Sequence, residues 1–384
     1  MSEKMIFTIT TEIKNALELL KKIASKNKAG GAMPEGVLFK GDNLAAMNDL
    51  LTVSFKLLPS ELGLTPQLFE EPQILPIKAI NVILDSSEGT EITISEENCT
   101  FRIKKSGKKA SAKISGFSKE VVFPAIPPVE YEKIDEISVD DFIDAVNATK
   151  HAISTNTAKM IYTGVHLIAD GENLSMFAID GYRAALWSTP YKSEDFRLSI
   201  PDKCLDVLIQ ALSKTSGKMS VVQTKVKNKA VFIVNGNRMV IRTRLLEGNV
   251  VEHSPMFADG QHRLIVNRKS LISVLKSITV IADDSATKDK MLITYGNDNI
   301  NLKYSCATAE YEENVSAKGN AESEVKMGMN LRFLLDSLNA IKTENVSIDY
   351  KGSENPIRIT AISDDDTATT VHQLCVPMRI TDIQ

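Results

Sequence analysis

The residues in this 384-residue chain best suited to hold a metal or activate a nucleophile are its five histidines and four cysteines. His151, His166, His253, His262 and His372 form no HExxH or HxH pattern. Cys99, Cys204, Cys306 and Cys375 are scattered and make no CxxC pair. That is the usage of reduced, mostly buried thiols in a cytoplasm. There is no GxSxG elbow, no GxGxxG and no GxxxxGK[ST]. Asp364-Asp365-Asp366 lacks a partner motif and reads as a solvated loop. An enzyme would need residues such as Asp180, Arg183 and His253 to meet in one site with perturbed pKa values. Without a chemistry-bearing cluster, the chain reads as a binding or architectural protein with no catalytic residues, metal or cofactor.

The stretch that would position Asp180 and Arg183 is Gly164 to Trp187, which reads as a β-meander. Val165–Ala169 and Leu174–Ile179 flank a turn at Asp170–Asn173. Asp180-Gly181 turns the chain again into a strand from Tyr182 to Trp187. Asp-Gly between apolar runs is a hairpin signal, because glycine takes positive φ at little cost. By itself the turn needs no function.

The unit recurs with a period of about 130 residues. Copies open at Ile6–Ala24, Glu136–Ser154 and Arg263–Ala282, each as a strand, an N-cap candidate (Thr11, Asp140 or Asp141, Asn267) and an amphipathic helix. Hairpins follow each helix, and each copy repeats the plan once more. Second helices are expected around Pro76–Leu84, near Asp202–Lys214, and after Val325-Lys326-Met327. Asn235-Gly236-Asn237 reads as a further hairpin turn. Hairpins demand antiparallel sheet. The expected class is α+β, with three tandem similar domains at 1–130, 131–258 and 259–384 and helices packed on one face of antiparallel sheets.

Hydrophobic content of 43% and charged content of 24% are those of a globular protein. No run approaches the ~20 apolar residues of a membrane span, and MSEKMIFTIT is not a signal peptide. A net charge of −4 argues against gripping nucleic acid with the whole surface, though not against a local basic face. Lysines gather on the helices: Lys14, Lys21, Lys22, Lys26 and Lys28 in the first, Lys78 in the second, Lys150 at the end of the third, Lys269 and Lys276 in the fifth, and Lys342 after the sixth. Each alone reads as solvation aided by the helix dipole. Together they could face a polyanion through weak contacts blind to sequence.

With the repeat and the turn in view, the chain resembles the bacterial DNA sliding clamp, the β subunit of the DNA polymerase III holoenzyme. The resemblance covers essentially the whole chain. It is carried by AISTNTAKMIYTGVHL, LSMFAIDGYRAAL, VIRTRLLEGNV and the closing HQLCVPMRI, with a more divergent first domain at GAMPEGVLF. It implies a ring of two head-to-tail copies, sheets outside and helices lining a hole for duplex DNA. The implied function is a processivity factor for DNA replication, in the cytoplasm with the nucleoid. It implies partners as well: a second copy, duplex DNA, and the replicative polymerase, clamp loader and repair proteins, which insert short linear motifs. The alternative is a monomeric scaffold of the same fold that closes no ring.

Carried over by matched position, the peptide site comprises Tyr162, Ile179, Gly181, Tyr182, Arg183, Ala184, Met256, Leu374, Cys375, Val376, Pro377, Met378 and Arg379. Matching DNA-contact positions are Lys28, Lys78, Asn156, Met160 and Ile161. The chain departs from the family pattern at Tyr182 (often histidine), Ala184 (often leucine) and Val251 (commonly proline), and it runs on through Thr381–Gln384.

Overall fold

Amphipathic segments of the sequence become helices whose apolar stripes face antiparallel sheets. The computed structural model describes residues 3–24, 33–63, 66–109, 111–126, 131–213, 217–224, 229–234, 238–282, 289–296, 298–320, 324–363 and 369–379. Lys26, Lys28, the Asn235–Asn237 turn, Asp364–Asp366 and Thr381–Gln384 lie outside them. The helices are α1 (Thr11–Ala24), α2 (Pro59–Leu62), α3 (Ile77–Leu84), α4 (Val139–Thr149), α5 (Asp202–Leu212), α6 (Arg268–Ile281) and α7 (Leu331–Asn339). In α1 the buried set Ile13, Ala16, Leu17, Leu20, Ile23 and Ala24 recurs every three or four residues, one stripe of a 3.6-residue period.

Two expected caps move toward the N-terminus. The hydroxyl of Thr10, not Thr11, accepts from the Ile13 N–H at 3.2 Å. Ser138, not Asp140 or Asp141, accepts from the Asp141 N–H at 3.3 Å. Asn267 caps α6 as expected, accepting from Ser270. In each case the cap is the last residue with extended geometry before the helix, and its neighbouring polar residue falls in the first turn.

The chain separates into two compact units. The first holds residues 1–143 and 203–245, with two antiparallel sheets. One has four strands in the order Glu3–Thr8, Glu91–Glu97, Thr100–Lys105 and Ser111–Ser115. The other has eight: Gln73–Pro76, Gly36–Lys40, Asn43–Met47, Leu51–Lys56, Met239–Arg244, Lys229–Val234, Lys218–Thr224 and Tyr131–Ser138. The second unit holds residues 144–202 and 246–384 and one twelve-stranded sheet. Its order is Phe196–Pro201, Gly164–Ala169, Asn173–Ile179, Arg183–Pro190, Thr370–Cys375, Ile357–Ala361, Asn345–Tyr350, His262–Asn267, Glu310–Gly319, Asn299–Ser305, Lys290–Tyr295 and Val325–Asn330.

The repeat is doubled in sequence but exchanged in space. Glu3–Thr8 precedes α1 yet pairs with Glu91–Glu97, which follows α3. Gln73–Pro76 precedes α3 yet pairs with Gly36–Lys40, which follows α1. The same exchange joins Tyr131–Ser138 to Lys218–Thr224 and Phe196–Pro201 to Gly164–Ala169.

Two strand junctions inside the units share one construction. In the first, Leu51 stands opposite Thr243 and Thr52 opposite Arg242. In the second, Arg183 stands opposite Cys375 and Ala184 opposite Leu374. A side-chain-capped turn opens each. Asn48 Oδ1 accepts from the N–H of Leu50 (2.9 Å) and Leu51 (3.1 Å). Asp180 Oδ1 accepts from Tyr182 (2.8 Å) and Arg183 (2.9 Å). The closing bonds match too: Arg244 N–H donates to Leu50 O at 3.1 Å, and Val376 N–H to Tyr182 O at 2.9 Å. A third copy of the turn precedes Glu310–Gly319, where Cys306 N–H donates to Ala309 O at 2.9 Å and its Sγ meets the Thr308 hydroxyl at 3.5 Å.

Candidate functional site

The Asp180 side chain can cap two N–H groups because Gly181 takes φ +98°, a left-handed conformation open to glycine at no steric cost. This turn also sets where the third strand of the meander begins. It runs Arg183–Pro190, so Tyr182 belongs to the turn and not to the strand expected from Tyr182 to Trp187. Freed from the pleat, Tyr182 is 66% exposed.

Arg183 is held on three sides. Its Nε donates to Asp180 Oδ2 at 3.0 Å and its Nη1 to Asp336 Oδ2 at 2.8 Å. Its guanidinium carbon lies 4.3 Å from the centre of the Phe333 ring. Tyr182 adds a second ring, 6.4 Å from Phe333 and tilted by 34°. One face of α7 thus closes the rim, Phe333 by stacking and Asp336 by charge. Asn330 caps α7 through the Phe333 N–H at 3.0 Å and so fixes where that ring starts.

Beside this rim is an apolar cluster of Phe177, Ala184, Leu186, Phe257 and Leu374, with Ile179, Val250, Met256 and Val376 half-buried at its margin. The residues matched by resemblance therefore separate into groups. Ile179, Ala184, Met256, Leu374 and Val376 share the cluster, and Gly181, Tyr182 and Arg183 form the turn above it. Cys375 points the other way, into the main core of its sheet. Its Sγ lies 3.4 Å from the Ser337 hydroxyl, and burial pushes the thiol up to about 11. Met378 bridges to Gly328, its N–H donating at 2.8 Å, Pro377 is half-buried beside it, and Arg379 is exposed. Leu246 occupies the equivalent crossing one copy earlier, donating its N–H to Ser199 O at 2.8 Å. There its side chain packs against Gly164, and Phe117 packs in the same way against Gly36.

Tyr162 ends a 3₁₀ segment, Thr157–Tyr162, and starts a chain of rings. It meets His166 edge-on at 6.5 Å, His166 meets Phe177 at 6.1 Å, and Phe177 stacks on His253 at 5.4 Å and meets Phe257 at 6.4 Å. His372 lies 5.9 Å from Phe257. Burial, aided by the Arg197 charge, holds His166 down to about 4. Burial and Arg358 do the same for His372. Burial lowers His253 as well, and Arg183 is taken up by two carboxylates.

Arg358 fixes the segment carrying Met256 and Phe257. It is 9% exposed and donates to the Phe257 carbonyl, to Asp259 and to Asp349, the last at 2.9 Å. Arg263 Nε donates to the other Asp349 oxygen at 2.6 Å.

Of the positions matched to DNA contact, Lys78 is exposed on α3, and Asn156, Met160 and Ile161 lie on or beside the 3₁₀ segment, Asn156 and Met160 exposed and Ile161 half-buried. The helix lysines are less free than the sequence implies. Lys342 donates to Asp144 at 2.6 Å, Lys21 to Asn81 at 3.1 Å and Lys22 to Gln210 at 3.2 Å. Phe333, Asp336 and Arg358 were not singled out from the sequence. In α7 the pattern of Leu331, Phe333, Leu334 and Leu338 reads as a core stripe, and nothing local says that Phe333 meets Arg183.

Comparison with known proteins agrees with this arrangement. The family model described as DNA polymerase III beta subunit, central domain, matches residues 136–251, and that for the C-terminal domain matches 256–379. The chain is 24% identical over 310 residues to the beta sliding clamp of Staphylococcus epidermidis, covering 80% of this chain and 79% of that one. It is 22% identical to the beta sliding clamp of Bacillus subtilis over 98% of this chain and 100% of that one. The crystal structure of the Bacillus subtilis DNA polymerase sliding clamp superposes with a TM-score of 0.83 at 19% identity, covering 98% of this chain and 100% of that one. The DNA polymerase III subunit beta of Pseudomonas aeruginosa superposes with a TM-score of 0.84 at 16% identity over 99% and 100%. The two matched models span well over half of the sequence, and the chain belongs to the bacterial DNA sliding clamps, the beta subunits of DNA polymerase III.

Proposed function

We propose that this sliding clamp, a processivity factor and not an enzyme, closes head-to-tail with a second copy into a ring around duplex DNA. Three domains, 1–130, 131–258 and 259–384, make up each half of that ring. The observation that carries this reading is the repeated junction. Two copies of the capped turn open strands that already have a partner in the chain. The third copy, at Cys306–Ala309, opens Glu310–Gly319, of which only Ala317–Gly319 pair with His262–Asn267 among the described residues. The strand equivalent to Met239–Arg244 and Thr370–Cys375 in the first domain is Ser111–Ser115, the edge of its sheet. Phe117 and Leu246 set the register between those strands. By that register Ala309 faces Ile114 of the partner subunit and Glu310 faces Lys113 of the partner subunit. Free strand edges of this kind associate readily, and opposite charges across them specify the pairing. The pairing is heterologous, so two copies close the ring through two identical contacts.

The apolar cluster beneath Tyr182 and Arg183 is the proposed seat of partner motifs from the polymerase, the clamp loader and repair proteins. Half-buried Met256, Ile179 and Val376 give an adaptable apolar floor, and Tyr182 with Phe333 an aromatic wall. DNA contacts fall to Lys28, Lys78, Asn156, Met160 and Ile161, and the site of action is the cytoplasm with its nucleoid. The test is mass in solution by light scattering, followed by retention of the loaded protein on circular and on linearised DNA. A mass near twice 42.2 kDa with retention on circles and loss from free ends is expected. A monomer, or equal retention on both DNAs, overturns the ring.

A further inference from the structure

Three turns open equivalent strands, Leu51–Lys56, Arg183–Pro190 and Glu310–Gly319, and close by the same backbone bond. Asn48 N–H donates to Leu51 O at 3.0 Å, Asp180 N–H to Arg183 O at 3.2 Å, and Cys306 N–H to Ala309 O at 2.9 Å. In the first two, a side-chain oxygen at the opening position also takes the N–H groups two and three residues on, the arrangement of an Asx turn. The first residue held in this way carries the carbonyl that joins the next strand: Leu50 O accepts from Arg244, and Tyr182 O from Val376.

The third turn has sulfur at the opening position, and a thiol is a weak acceptor. Cys306 Sγ meets the Thr308 hydroxyl at 3.5 Å. That hydroxyl first, then the Thr308 N–H, and more weakly the Ala309 N–H and Tyr304 hold the thiol below its ordinary pKa, against the opposing effect of burial. The sulfur thus faces the two N–H groups equivalent to those that Asn48 Oδ1 takes, as a softer partner. Asp49, Leu50, Ala307 and Thr308 all lack the positive φ of Gly181, so the Asn48 turn is the nearer template for the third. Leu51 and Arg183 begin their strands already paired, whereas Ala309 has no strand partner among the described residues and its strand starts at Glu310.

We propose that Cys306 is a positioning residue for ring closure: a weaker cap than Asn48 or Asp180, it leaves Thr308 O and the start of Glu310–Gly319 less preorganised for a second copy than the two junctions inside the chain are for their own strands. Resting on the ring reading above, this role names the residue that sets how easily the ring opens. Ordering the turn on association costs affinity, so the ring yields at its two subunit contacts before either junction within a chain does.

The test is subunit exchange between full-length proteins labelled at the N-terminus with a donor or an acceptor fluorophore, read by energy transfer after mixing. Cys306→Asn, which copies Asn48, is expected to slow exchange and Cys306→Ala to speed it, each by about fivefold per contact, the effect of one net hydrogen bond. Exchange opens two identical contacts, so the full change is up to about twenty-fivefold. Cys306→Ser, whose hydroxyl caps such turns more weakly than an Asx side chain, is expected to fall between the two. Asp170 caps a hairpin turn of the same kind outside the junctions, through Glu172 (3.2 Å) and Asn173 (2.8 Å). Asp170→Cys is expected to leave exchange at the wild-type rate. Dimers that exchange at one rate in all Cys306 variants, an order other than Asn, Ser, Ala from slow to fast, or an equal effect of Asp170→Cys overturns the role of Cys306 and leaves the ring standing. A chain that is monomeric in every variant, giving no energy transfer on mixing, overturns the ring and this role with it.

Discussion

Arg183 lies with its guanidinium carbon 4.3 Å above the ring of Phe333, two residues brought together from the central meander and from α7. Cation–π contact and two carboxylate bonds, to Asp180 and Asp336, immobilise a side chain that would otherwise be free at a turn. A rigid rim costs a peptide less ordering entropy on binding. Arg183→Ala is therefore expected to weaken binding of a labelled peptide with apolar anchors, taken from a partner's short linear motif, about tenfold, or about 1.4 kcal/mol. Light scattering should show the same oligomer. Full affinity in polarisation titrations would remove Arg183 from the site.

Phe333→Ala addresses the same contact from the helix side. It removes both the stack under Arg183 and the wall beside Tyr182, so it is expected to cost at least as much affinity as Arg183→Ala. In the double variant the losses should fall short of additive, because contacting residues couple. Additive losses would show that the two act separately.

Arg358 ties the Phe257 carbonyl to Asp349, whose side chain is only 2% exposed. Arg358→Met keeps the volume but leaves that carboxylate with Arg263 alone. A loss of about 3 kcal/mol in the second unit is expected, measurable in urea unfolding. Peptide affinity should fall as well, since Met256 and Phe257 lose their anchor. A stable variant with native affinity would deny Arg358 that positioning role.

Acid should loosen the second unit before the first. His166 and His372 have folded pKa values near 4, below the usual 6.5. The unfolded chain binds the protons more readily, so their contribution is complete above pH 6.5 and is lost as the pH falls from there toward 4. Each histidine adds a slope of about 1.4 kcal/mol per pH unit in that window. His166→Phe should flatten the slope measured by denaturant unfolding at pH 7, 6 and 5. An unchanged slope would mean that His166 is charged in the folded state.

Ring closure makes a charge-swap prediction. Lys113→Glu sets two carboxylates opposite each other in the proposed register and is expected to raise the dimer Kd at least tenfold by analytical ultracentrifugation. Adding Glu310→Lys in the same chain should restore it, because each junction then carries the pair reversed. Failure of the second change to rescue the first would refute the register.

Much of the plan was legible in the sequence because it rests on local periodicity. The helix stripes, the Asp180-Gly181 turn and the Asn267 cap follow from side-chain spacing and from what glycine and asparagine do to nearby backbone. The caps at Thr10 and Ser138 were displaced because several polar residues in succession can each accept the same N–H groups. The strand exchange was not legible, since Glu3–Thr8 carries no mark of preferring Glu91–Glu97 to nearer strands. The rim of the site was half legible. Its turn is local, but Phe333 and Asp336 reach Arg183 only through tertiary packing, and Cys375 alternates away from Leu374 by the pleat of a strand whose outward face could not be assigned beforehand.

The exchange of leading strands also governs how the chain acquires its structure. Glu3 finds Glu96 only after α1, a whole meander and α3 have been made, and the nearer half-repeat cannot be completed without the farther one. Neither half is an autonomous folding unit. Sequence-distant pairings of this kind raise contact order and slow the rate-limiting step. On the ribosome, the first strand must wait for its sheet, so a chain arrested before Glu91 displays an unpaired edge to its surroundings.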